Sequence, residues 1–143
     1  MKRDFEANQH LLNQDLLNIE DIKSQTICNY FLRLNENNFE GFAALFSPDG
    51  LLFPPFESAI VGRDAVSQYL QTTGIEVEAF PQSGTVQPGS DGVTVYQISG
   101  NVKTSYFTVN VVWTIELNPE QQIVSAKIKL LATLQDLLHL KRD

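Results

Sequence analysis

The stretch Phe107-Thr108-Val109-Asn110-Val111-Val112-Trp113-Thr114-Ile115-Glu116-Leu117 sets an apolar residue at every odd position, with Thr, Asn, Val, Thr and Glu between them. Alternate side chains of an extended chain point to opposite faces, so this segment reads as a strand with one apolar face, and Trp113 belongs to that face. Asn118-Pro119-Glu120 then carries turn chemistry. Beyond it Val124, Ala126, Ile128 and Leu130 stand opposite Ser125, Lys127 and Lys129, a second strand whose register against the first is set by the shared apolar face. Upstream, Pro88-Gly89-Ser90-Asp91-Gly92 marks another hairpin, and Gly100 inside a strand-like run predicts a bulge that bends the sheet.

Working back toward the N-terminus, the period changes. Between Asp21 and Asn35, Ile27, Tyr30, Phe31 and Leu34 recur at three- and four-residue spacing, which predicts a first core helix with Tyr30 on its apolar face. Asn38 caps a second helix carrying Phe39, Phe42, Ala43, Leu45 and Phe46, and Ser47-Pro48-Asp49-Gly50 closes it as a turn. Leu51 to Phe53 is a short strand stopped by Pro54-Pro55; Gly62-Arg63-Asp64 opens a third helix with Val66, Tyr69 and Leu70 on one side.

Helices first and a long antiparallel meander afterwards is an α+β order. A curved antiparallel sheet must wrap around the three N-terminal helices to cover their apolar faces, and helices this short leave a concave pocket. Ile27, Phe31, Leu34, Phe107, Val111, Ile128 and Leu130 are the candidates to line it. Residues 20–143 are expected to form a single domain. Residues 1–19, with a loose stripe of Phe5, Leu11, Leu12, Leu16 and Leu17, form an N-terminal helix or arm. Residues 133–142, with Leu134, Leu137, Leu138 and Leu140, predict a short C-terminal helix placed to cap an opening or a subunit contact.

Bulk properties exclude several function classes. Ten Lys and Arg against seventeen Asp and Glu give a net charge of -7, which repels phosphate backbones, so nucleic acid is not expected as a partner. No run approaches the eighteen apolar residues of a membrane span, and Met1 to Asn18 lacks the apolar run and cleavage pattern of a secretion signal. The one cysteine, Cys28, has no partner within the chain and falls on a helix face, where a small core residue is expected. A cytoplasmic location follows as the expectation.

Catalytic chemistry is poorly supplied. His10 and His139 lie in the terminal segments. Asp49 sits in the expected turn, Asp64 at a helix start and Glu116 opposite Trp113; Glu57, Glu76 and Glu78 have no evident structural role. No His, Cys or carboxylate cluster has metal-ligand spacing, and no glycine-rich phosphate loop or nucleophile elbow is present. What remains is Tyr30 and Trp113, two large apolar bodies with a hydrogen-bond donor each, brought from different elements to one interior. They are either two converging donors for one carbonyl oxygen or two core aromatics satisfied by backbone acceptors.

Several segments together resemble the C-terminal domain of the cyanobacterial orange carotenoid protein family. Asn29-Tyr30, Leu34-Asn35, Phe39, Ala44-Leu45-Phe46, Asp49-Gly50, Pro54-Pro55-Phe56 and Ile60-Val61-Gly62-Arg63 occur in the family's order and spacing. So do Ser99-Gly100-Asn101-Val102-Lys103-Thr104, Val111-Val112-Trp113, Leu117-Asn118-Pro119-Glu120, Ile128-Lys129-Leu130-Leu131-Ala132 and the leucine-rich tail, so that the likeness spans about residues 20 to 142. The resemblance implies a cone-shaped nuclear transport factor 2-like fold, and more narrowly the stand-alone homologues that bind and pass on ketocarotenoids without covalent chemistry. It also implies that Tyr30 and Trp113 donate to the keto oxygen of the ring; no metal is expected, since no cluster has ligand spacing. A homodimer, a helical-domain protein as carotenoid acceptor and a photoprotective setting follow in the same way.

The rival readings are an isomerase or hydrolase on the same fold and a pure interaction domain whose pocket is closed by its own aromatics. Departures from the family's pattern qualify the likeness. The stretch Tyr106 to Trp113 is shorter than in the family, Tyr106 stands where Trp is common, and Phe107 stands where some stand-alone homologues carry a subunit-linking cysteine. A redox-controlled dimer is therefore not expected, nor, without an N-terminal helical carotenoid domain, a self-contained light switch.

Overall fold

Ser24 ends an irregular entry segment in which Asp21 takes a left-handed backbone with φ 71°, and its hydroxyl accepts from the Ile27 amide. Helix α1 (Gln25–Asn35) therefore starts four residues after the Asp21 suggested by spacing alone, where a side chain can satisfy an otherwise orphaned amide. The computed structural model describes residues 19–73 and 76–131. The expected arm over 1–18, the helix over 133–142, His10 and His139 lie outside the described residues. Ile19, which was assigned to the arm, is buried with Ile22 in the core.

Asn38 caps helix α2 (Phe39–Ala43) as expected, its side chain accepting from the Gly41 amide at 3.0 Å. The helix is shorter than the apolar pattern suggested. Leu45 and Phe46 are not in it, and the expected turn Ser47-Pro48-Asp49-Gly50 instead lies inside strand β1 (Phe46–Phe53). Phe46 pairs with Ile123, and the ladder resumes only at Leu51 with Ser125, so the intervening residues are accommodated as an irregularity of the strand. Arg63 fixes this irregularity by donating from Nε to the Phe46 carbonyl at 2.6 Å. Strand β2 (Ile60–Val61) and helix α3 (Arg63–Thr73) follow, the latter burying Val66 and half-burying Tyr69 and Leu70.

The second half is the expected meander: β3 (Glu78–Pro88), β4 (Thr94–Lys103), β5 (Thr108–Leu117) and β6 (Ile123–Leu130), each antiparallel to the next. The full sheet has the order β2-β1-β6-β5-β4-β3, and β1 pairs with β6 in parallel, the one parallel pair among its neighbours. It curves around the helices. The bulge foreseen at Gly100 is present, with the extra residue, Gln82, in the facing strand β3. A Cβ at Gly100 would sit 2.2 Å from the Phe80 carbonyl oxygen, so only glycine permits this approach of the two strands.

On β5, Val111, Trp113, Ile115 and Leu117 are buried, as their alternation requires. On β6 the alternation breaks. The register shifts between Ser125 and Ile123, so Ile123 and Ala126 enter the core, while Val124, expected on the inner face, lines a groove on the outer face with Thr114, Glu116 and Lys127. A bulge residue changes side because one extra residue inverts a period of two.

Candidate functional site

Helix α1 presents two adjacent stripes. Ile27 and Phe31, four residues apart, are fully buried in the core; Tyr30 and Leu34, also four apart, border a cavity of about 290 Å³ between the helices and the sheet. The end of α1 is held against the sheet by Asn35. Its amide donates to the Ala79 carbonyl at 2.9 Å and accepts from the Ala79 amide at 2.8 Å, standing in for a neighbouring strand at the edge of β3.

The cavity is lined on the helical side by Tyr30, Leu34, Asn37, Phe39, Phe42, Tyr69, Leu70 and Thr73. Leu52, Pro54, Pro55, Val77, Val102, Thr104, Phe107, Val109, Trp113, Ile128 and Leu130 complete it. Of the residues singled out in the sequence, Tyr30, Trp113, Leu34, Phe107, Ile128 and Leu130 are on this wall. Ile27, Phe31 and Val111 are not: all three are fully buried in the solid core beside it. On β5 the split falls within one strand face: Val109 and Trp113 border the cavity, while Val111 between them is sealed in the core.

Tyr30 and Trp113 are buried to 1% and 2% exposure and are connected by aromatic packing. Phe31 lies edge-on to both, with ring centroids 4.9 Å from Tyr30 and 4.8 Å from Trp113, and Phe42 closes on Tyr30 at 4.7 Å. Such edge-to-face contacts fix the rings, so the polar tips are held by packing. Among the described residues, neither the Tyr30 hydroxyl nor the Trp113 indole nitrogen has a hydrogen-bond partner, and no side-chain polar atom there is both sealed and unpaired. Both residues line the cavity.

Burial pushes the Tyr30 hydroxyl far above the ordinary tyrosine range, so it remains a neutral donor at any physiological pH. An indole N–H only donates. No Asp, Glu, His, Lys or Arg borders the cavity among the described residues. Glu76 and Glu78 are exposed, as are Asp49 and Asp64, and Glu116 lies on the outer face. Cys28 is half-buried outside the core cluster, with its thiol pushed up by burial. Among the described residues no group of His, Cys, Asp or Glu could hold a metal, and no helix is long and apolar enough to cross a membrane.

Glu57 has a partner after all: it accepts from the Tyr69 hydroxyl at the cavity wall. Burial first, then this bond and the nearby negative charge, push the Tyr69 hydroxyl up to about 12. The apolar side of α3 was legible from spacing, but its service as cavity wall was not, because that depends on where β1 turns away at Pro54-Pro55.

Comparison with known proteins places this geometry. No family model matches the chain. The orange carotenoid-binding protein of Synechocystis sp. is 33% identical over 138 residues, which cover 94% of this chain and 44% of that protein. The structure of the orange carotenoid protein of Anabaena (Nostoc) sp. binding canthaxanthin matches with a TM-score of 0.76 and 36% identity over 85% of this chain and 40% of that one. The chain spans less than half the length of these relatives. More distantly, the epoxide hydrolase/cyclase-like enzyme SalBIII shares the fold at 20% identity, with a TM-score of 0.58 over 78% of this chain and 91% of that one. The chain is a homologue of the orange carotenoid proteins, of their C-terminal-domain type with a nuclear transport factor 2-like fold.

Proposed function

We propose that this protein binds one ring of a ketocarotenoid in the cavity and performs no covalent step on it. The observation that carries this reading is a pair of packed donors, Tyr30 and Trp113, without a hydrogen-bond partner among the described residues, on a wall that carries no charged side chain there. A keto oxygen accepts two hydrogen bonds and supplies what both donors lack. Burying on the order of 300 Å² of apolar ligand surface contributes roughly 7 kcal/mol before association costs, against about 1 kcal/mol net for each hydrogen bond. Burial therefore holds the ligand, and the donors select its oxidised end.

A cavity of about 290 Å³ holds a ring and leaves the polyene to be covered elsewhere. A second copy of the chain is the proposed cover, giving a homodimer, and a helical-domain carotenoid protein is the proposed recipient. The setting is cytoplasmic photoprotection in a cyanobacterial cell. Enzymes share this fold, and an enzymatic reading would need an acid or base at the ligand; the described wall offers only tyrosines whose hydroxyls stay protonated, which favours binding.

Expression in a host that makes canthaxanthin tests the reading directly. The purified protein is expected to be coloured, and Tyr30→Phe with Trp113→Phe is expected to shift or bleach its absorption band. A colourless product under conditions that load the Anabaena relative overturns the proposal.

A further inference from the structure

The segment between β1 and β2 forms one margin of the cavity and has little to hold it. Pro54 and Pro55 line the cavity but carry no amide hydrogen, and the next residue, Phe56, is 87% exposed with a left-handed backbone at φ 65°, a conformation that costs energy for a bulky side chain. Within residues 54–59 the backbone bonds of the described chain reduce to one long contact, from the Glu57 amide to the Pro54 carbonyl at 3.4 Å. Across the cavity margin stands Tyr69 on α3, and its hydroxyl donates to the Glu57 carboxylate. A wall residue of the helix is thereby tied to the loop whose prolines form the neighbouring wall.

We infer that Glu57 is a positioning residue that latches the Pro54-Pro55 margin to Tyr69 and sets how fast a ligand leaves the cavity, with no effect on how its keto end is held. The inference rests on the carrier reading for the ligand, while the latch itself is a property of the empty chain. Tyr30 and Trp113 belong to α1 and β5, and neither touches Glu57 in the aromatic or hydrogen-bond contacts of the site. Opening the latch therefore frees the margin and leaves the donor pair packed against Phe31.

The test uses the full chain loaded with canthaxanthin and follows transfer of the pigment to phosphatidylcholine vesicles. Glu57→Ala and Tyr69→Phe each remove the bond and are expected to speed transfer about fivefold, the effect of one net hydrogen bond, with the absorption maximum unmoved in Glu57→Ala, whose residue does not line the cavity. Glu57→Gln keeps an acceptor oxygen and is expected to restore the wild-type rate. Hydrogen exchange on the ligand-free chain supplies the second reading: the bonded amides that close the segment, in the pairing of Leu51–Leu52 with Ile60–Val61 and from Gly62 to the Gly50 carbonyl, exchange faster in Glu57→Ala and Tyr69→Phe. Transfer at the wild-type rate in both variants overturns the inference, as does a shifted absorption maximum in Glu57→Ala or unchanged exchange. A wild-type chain that never colours overturns the carrier reading instead, and the exchange measurement then decides the latch alone.

Discussion

The two stripes of helix α1 face the same sheet across different fillings. Ile27 and Phe31 belong to a closed core with Val111, Ile115 and Leu117, all fully buried; Tyr30 and Leu34 border the cavity together with Val109 and Leu130, which are half-buried, and Phe107, which is exposed. Helix and strand are continuous through both halves, so the difference does not come from element type. It comes from what each stripe meets: Phe31 packs edge-on to Tyr30 and Trp113, whereas Leu34 borders the cavity. Solid packing in the first half fixes the positions of Tyr30 and Trp113 at its border, and the second half is open among the described residues.

Substitutions in the two halves should therefore differ sharply. Phe31→Ala removes the ring that touches both Tyr30 and Trp113 and opens a cavity in the closed half, with an expected loss of about 3–5 kcal/mol read from the urea midpoint. Leu34→Ala enlarges a space that already exists and should cost under about 1 kcal/mol in the same measurement, since few contacts are lost. Comparable losses for the two would mean that the open half is packed in solution.

Tyr30→Phe probes the border between the halves. Its hydroxyl has no partner among the described residues, so stability of the ligand-free protein should change by no more than about 0.5 kcal/mol in either direction. A larger loss would reveal an acceptor within the protein and would weaken the case for a ligand oxygen there.

The smallest expected effect is at the margin. The Tyr69 hydroxyl is held up to about 12 in the folded chain, above the roughly 10 of an unfolded one, so its contribution is whole below about pH 10 and is lost as pH rises toward the folded value. In this window the unfolded chain releases the proton first, which lowers stability with rising pH. Alkaline unfolding of Tyr69→Phe should accordingly fall less steeply than wild type, by a modest amount because Tyr69 is only half-buried.

Much of the closed half was legible in the sequence, since strict alternation on β5 and three- and four-residue spacing on α1 each mark a buried face. Legibility failed where the backbone departs from its period. Ser47-Pro48-Asp49-Gly50 has turn composition, yet the pairing of Phe46 with Ile123 and of Leu51 with Ser125 keeps it within a strand. Val124 has core composition, yet the register shift on β6 sends it outward. The same limit applies to the site. Periodicity put Tyr30 and Trp113 on inner faces but could not tell open wall from packed core, so Ile27, Phe31 and Val111 were grouped with Leu34 and Leu130. Whether a face meets protein or space depends on sheet curvature, which residues at a distance set. Glu57 carries no periodic signal at all, because its partner Tyr69 is reached through a loop.

The parallel seam between β1 and β6 bears on how the molecule comes into being. Leu52 lies beside Ala126, so a segment made early in synthesis stays without its neighbour until nearly the whole described chain has emerged. The β3–β6 hairpins join neighbours in sequence, whereas the Leu52 and Pro54 side of the hollow depends on the long-range pairing of β1 with β6. A chain lacking β6 would lose Ile128 and Leu130 from the cavity wall, so that on the proposed carrier reading ligand uptake would have to follow completion of the sheet.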